Sequence, residues 1–342
     1  MPSHWYYGGE RQVRADYGRI TDYVKPKMEL YGSIMNKSNT GGGGRGAASG
    51  DIIGRVINHG KRHLWESGRH MHYHCTLEKG ENTLEAQLLR LCLRSIVRTG
   101  GEFSQSSFRD DYVTFMTTPG SHNDAYASTC HRMFFANRER GLPLEQCPDN
   151  DSHNVDTVDG LILPVIACGL SLLKDDKSSD PDCVKEACSR CIAVTRRSKV
   201  LPTFASELAL ALNRVVKAEM SLQEAVSLCA KDLGMSGNLA RAAKMDDQVT
   251  ACYLETSVPS LLTMCYKYDG RFEEGLLANA NCGGENVHRG IVLGAMLGAS
   301  VGEKAIEGRW KDGLKDHEDI RQEIDAFAIA LAESQHMGYN GA

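Results

Sequence analysis

Residues 279–300, NANCGGENVHRGIVLGAMLGAS, constrain the fold more than any other stretch of this chain. Gly290, Gly294 and Gly298 recur every four residues, with Ala295 and Ala299 beside them. A glycine inside a helix is unfavourable by itself, so three at this spacing call for a packing reason: one helix face flat enough for a second helix to approach closely. The segment predicts a buried helix in a protein built of helices. In front of it, Gly283 and Gly284 allow a tight turn and close approach of backbone to a ligand. Glu285, Asn286, His288 and Arg289 then place polar side chains at the mouth of the helix, where its N-terminal amides face the same space. In the alternative reading the glycines serve packing alone and the polar cluster is a cap.

The rest of the chain agrees with a helical protein. In residues 80–101, Leu84, Leu88, Leu91 and Ile96 fall at helical intervals with Arg90, Arg94 and Arg98 opposite; Asn82 with Glu85 reads as a capping box and Gly100 as the stop. Asp180 precedes a proline suited to a first helical position, and SLQE at 221–224 reads as a second capping box. Residues 316–334 read as a final amphipathic helix. No strand-like alternation and no long repeat stand out, so the expected fold is all-α, a single compact multi-helix domain over 46–342. Residues 1–45 form an irregular extension, too aromatic to be a disordered tail and therefore docked on the domain. Four glycines at 41–44 lack the Lys-Ser/Thr of a phosphate-binding loop and read as a joint.

Composition removes several function classes. A hydrophobic content of 42% is enough for a sizeable core, and a net charge of −5 argues against nucleic acid or an anionic membrane as a whole-surface partner. No apolar run reaches the roughly 18 residues of a membrane span, and MPSHWYYGGE lacks the basic and apolar parts of a secretory leader; a cytoplasmic protein is expected. The cysteines are scattered singly along apolar helical stretches, as reduced, buried thiols. Cys188 and Cys191 form a CxxC without a second pair and read as neighbours on adjacent helical turns. His70, His72 and His74 lack a fourth ligand and read as hydrogen-bonded histidines rather than a metal site.

Two dense polar runs each lead into a helix. GSHNDAYASTCHRMFF at 120–135 carries His122, Asn123, Asp124 and His131, and CPDNDSHNVDTVDGLILPVIA at 147–167 carries Asp149, Asp151, His153, Asn154 and Asp156. Helix N-termini converging on one cavity would bring these acids, bases and hydrogen-bonders together with Glu85, Glu285 and His288.

Several of these motifs, in this order, resemble the ADP-ribosylglycohydrolase family. Residues 283–288, GGENVH, are similar to that family's GGDTDT loop before a glycine/alanine-rich helix; GDIIG at 50–54 resembles its first helix and makes Asp51 a pocket candidate; Thr83, Leu84 and Glu85 stand where the family has Thr-Asp-Asp. The altered loop and the two polar runs resemble the J-type lens crystallin branch. The resemblance implies an ADP-ribose-like small-molecule partner, bound by Asp51, Thr83, His122, Asn123, His153, Asn154, Gly283, Gly284 and Asn286, with Glu85, Asp124, Asp156 and Glu285 as catalytic candidates. It also implies two magnesium ions. Here, however, Leu84 and Val287 hold two carboxylate positions, and magnesium demands near-octahedral oxygen ligation. The expectation is that the paired cluster is absent and that Thr83, Glu85, Glu285 and His288 hold at most one ion. The functional expectation is a structural, J-crystallin-type protein with a modified pocket; the alternative is a hydrolase of ADP-ribosyl or related N- or O-glycosidic bonds, using one metal or paired carboxylates.

Overall fold

The computed structural model describes residues 8–33, 35, 52–149, 155–175 and 177–337. Asp51, Asp151, His153, Asn154 and the glycines at 41–44 lie outside the described residues. The longer helices are α1 (Gly9–Tyr17), α2 (Leu84–Arg98), α3 (Gln105–Thr117), α4 (Thr129–Glu139), α5 (Pro181–Ile192), α6 (Leu201–Val216), α7 (Leu222–Asp232), α8 (Leu254–Lys267), α9 (Phe272–Cys282), α10 (Asn286–Val301) and α11 (His317–Met337). Among the described residues there is no strand, only isolated bridges such as Glu29 with Met71. The expected all-α single domain is the architecture found.

Helix α6 sits at the centre of one half. Leu208 to Leu212 are buried without interruption, which a helix tolerates only when neighbours cover it all round; α5, α7, α10 and the turns at 158–171 do so. Those turns form the seam between two apolar cores. Val158, Leu161 and Val165 pack with α5, α6, α7, α8 and α10, while Ala167 and Cys168 pack with α2, α3 and α4. Pro164, which has no amide to donate, opens a widened helical turn at Leu163–Cys168. Gly169 next to it lets α6 come close, since a Cβ there would lie 2.9 Å from that of Ala209.

Helices α2 and α11 pack on one another, as do α9 and α10. The glycine face of α10 does meet a helix, α9, but its glycines are unequal. The fully buried stripe of α10 is Val292, Leu293, Met296 and Leu297, which pack into the second core. No described helix is long and apolar enough to cross a membrane.

Two helix starts are capped by the residues their local sequence indicates. Ser221 and Glu224 form the reciprocal capping box, and the Asp180 carboxylate accepts from the amides of Asp182 and Cys183 at 2.9 and 3.3 Å. Two readings are corrected. Asn82 is not the cap of α2: Thr83 occupies that position, and its side chain makes no capping bond. The extension is not irregular throughout, because residues 9–17 form α1. That helix buries only Gly9 and Val13, too few apolar positions for a legible period, and it is held by packing on α9. All twelve cysteines are free thiols, and Cys188 and Cys191 lie on successive turns of α5.

Candidate functional site

The N-termini of α2 and α10 meet at the middle of the domain. Gly283 and Gly284 both have positive φ, 76° and 67°, a conformation costly for any residue with a Cβ. A Cβ on Gly284 would also lie 2.7 Å from the carbonyl oxygen of Thr250. This close approach lets the Glu285 amide donate to that same oxygen at 2.9 Å. Arg289, fully buried, then fastens the loop from inside. Its guanidinium donates to Asn279 Oδ1 at 2.8 Å, Thr250 Oγ1 at 2.9 Å and the Gly283 carbonyl at 3.0 Å.

Around this junction lies a buried chain of charge. Glu285 caps α10, its Oε1 accepting from the His288 amide at 3.5 Å and lying 3.2 Å from His288 Nδ1. The other ring nitrogen of His288 is 4.0 Å from Glu85 Oε1 on α2. Glu85 also lies 3.4 Å from His131 Nε2, and His131 Nδ1 is 2.8 Å from the Tyr112 hydroxyl. Burial drives the His288 imidazole towards neutrality, but Glu285, Asp159 and Glu85 outweigh it and push its pKa up to about 10. Asp159 is paired with Arg196 at 3.0 Å. Burial alone would raise its pKa; Arg196 and His288 instead hold it far below the usual carboxylate range.

Asp124 caps the first turn of α2. Its Oδ2 accepts from the Leu84 amide at 2.8 Å and its Oδ1 from the Tyr126 amide at 3.2 Å, while His74 Nδ1 lies 2.8 and 2.9 Å from the two oxygens. A carboxylate thus performs the capping assigned in sequence to Asn82. Despite full burial its pKa is lowered, because His74 and the α2 amide favour the charged form.

Next to this cap opens a polar cavity of about 400 Å³, lined among others by Asn58, Lys61, Glu81, His122, Asn123 and Lys315. Glu81 is engaged, accepting from Lys315 at 3.0 Å and Asn123 at 3.1 Å. The half-buried Lys61 ammonium has no hydrogen-bonded or ion-paired side chain among the described residues, and burial lowers its pKa. Asn58 Oδ1 and His122 Nδ1 are likewise buried without a partner. Burial brings the His122 pKa down to about 4, leaving a neutral ring at pH 7. A second cavity, of about 190 Å³, lies between Thr83, Asn286 and Val287 on one side and Tyr23 and Pro26 of the N-terminal strap on the other. Neither cavity is lined by Glu85, Glu285 or His288.

The residues singled out from sequence therefore separate into groups. Glu85, Glu285 and His288 come together with His131, while Asp124 accepts the first amide of α2 and pairs with His74. His122 and Asn123 line the larger cavity; Thr83 and Asn286 line the smaller. Gly283 and Gly284 shape the loop. Asp156 is used elsewhere, accepting from the Ser198 hydroxyl that in turn caps the start of α6. Among the described residues no three His, Cys, Asp or Glu side chains converge as a metal group. Asn58, Lys61, Tyr112, Asp159 and Arg196 escaped the sequence reading. Only GDIIGRVINHGK, with a lysine closing a glycine-rich turn, offered a local signal for any of them.

With this geometry in place, comparison with known proteins gives one family. A family model described as ADP-ribosylglycohydrolase matches residues 40–340. Among solved structures, one titled "ADP-ribosylglycohydrolase-related protein complex" covers 88% of this chain and 99% of its own, with a TM-score of 0.52 and 19% identity. At that identity the likeness concerns the fold. The curated proteins give no match.

Proposed function

This chain belongs to the ADP-ribosylglycohydrolase family, and from that premise we propose that it binds an ADP-ribose-like small molecule in the polar cavity beside the α2 terminus. The observation that carries the reading is Lys61, a half-buried cation without a hydrogen-bonded or ion-paired side chain among the described residues, which lines a cavity of about 400 Å³ and feels Asp124 and Glu81 only at longer range. An ammonium in that state favours an anion, and a pyrophosphate is an anion of suitable size. The unpartnered Asn58 Oδ1 and His122 Nδ1 suit ribose hydroxyls, which both donate and accept.

Turnover by paired carboxylates has less support. Glu85 and Glu285 pair with histidines and do not line the cavity, so a sugar bound there would not meet them. The J-crystallin-type structural reading offers no reason for a half-buried lysine without an ion pair in a polar cavity. Calorimetry with ADP-ribose tests the proposal. Wild type should bind, and Lys61→Met should weaken binding about 10- to 100-fold, the equivalent of a charge-assisted hydrogen bond of roughly 1.5–3 kcal/mol. No binding at millimolar ligand would overturn the proposal and favour the structural role. Release of ADP-ribose from a modified substrate in the presence of chelator would instead favour a metal-free hydrolase.

A further inference from the structure

The metal ions that the family implies require oxygen ligands, and this chain's junction does not supply them. Leu84 and Val287 are buried alkyl groups at two of the corresponding positions. The remaining carboxylates, Glu85 and Glu285, are separated by a side chain: the His288 ring, with Nδ1 3.2 Å from Glu285 and Nε2 4.0 Å from Glu85. Magnesium binds oxygens at about 2.0–2.1 Å in an octahedron, so an ion would have to expel an imidazole that is itself buried between the two carboxylates.

We infer that His288 takes the place of a metal ion, joining α10 to α2 through the two glutamates as a built-in, metal-independent latch. The neighbouring groups fit this role. His131 and Tyr112 fix Glu85 from its other side, and Arg196 neutralises Asp159, the third acid facing the ring. The latch is sealed from the two cavities beside it, Thr83, Asn286 and Val287 standing at the wall of the smaller one in its stead. It is therefore a structural joint, and it holds whether or not the larger cavity binds ADP-ribose.

The test is thermal melting and calorimetric titration with magnesium and with manganese. Wild type should bind neither ion and should melt at the same temperature in either salt as in chelator. His288→Asp, which exchanges the ring for a further carboxylate beside Glu85 and Glu285, should melt lower in chelator and recover several degrees when manganese or magnesium is added. His288→Gln tests the latch without creating a ligand. It should lower the melting temperature, and Glu85→Gln in the same protein should restore part of the loss by removing a buried carboxylate that keeps only His131 as its partner. Metal binding by wild type, or a double variant that melts below His288→Gln alone, would overturn the inference.

Discussion

Gly290 has no room for a side chain: a Cβ there would lie 2.6 Å from Nδ2 of Asn279, the atom that donates to the Asn286 carbonyl at 2.7 Å. At Gly294 and Gly298 the nearest atoms are 3.6 and 3.7 Å away, ordinary contact distances. Gly290→Ala is therefore expected to destabilise by about 1–3 kcal/mol, through overpacking and a strained buried hydrogen bond. Gly298→Ala, with space available and helical backbone, should be neutral or stabilising by up to about 1 kcal/mol. Denaturant titrations of the two variants check the difference. Equal effects would mean that the whole glycine stripe, and not one position, sets the α9–α10 distance.

At the scale of the element, α2 owes its start to a residue 40 positions away. Asp124 accepts the Leu84 amide and pairs with His74 in a site closed to water. Asp124→Ala leaves both donors buried and should cost about 3–5 kcal/mol, as breaking one side of a buried pair does. Asp124→Asn keeps one acceptor oxygen but turns an amide towards donors, so a smaller loss of about 1–3 kcal/mol is expected. Hydrogen exchange of the first turn of α2 should rise in both variants. Unchanged protection there would show that α2 is anchored by packing alone.

For the whole molecule, the shifted groups predict how stability depends on pH. His288 is raised from 6.5 to about 10, so its contribution is complete below 6.5 and is lost as pH rises through 10. His122 is lowered from 6.5 to about 4 and is buried neutral; the unfolded chain binds that proton first, so stability falls as pH drops from 6.5 through 4. Asp124 and Asp159, both lowered from 3.8, contribute above that value, and their share is lost as pH falls below it. The melting temperature should peak near pH 6.5 and decline on both sides. In His288→Gln the alkaline decline should flatten, and an unchanged profile would remove His288 as its source.

The features legible in the chain's own order of residues are local. Helical period, the caps at Asp180 and Ser221, the double-glycine turn and the order of the family's motifs all depend on residues within a few positions of each other, where 3.6-residue geometry and backbone capping act directly. Tertiary structure alone decided the site. The sequence showed polar runs opening helices and suggested one shared pocket, but Glu85 meets His131 and His288, Asp124 meets His74 and α2, and Asp156 serves α6. Lys61 looks like any surface lysine until residues 120–123 join it around one cavity, where it has no ion-paired side chain among the described residues. Pairing between side chains distant in sequence depends on where packed helices place them, and a buried charge acquires its partner, its pKa and its cost only there.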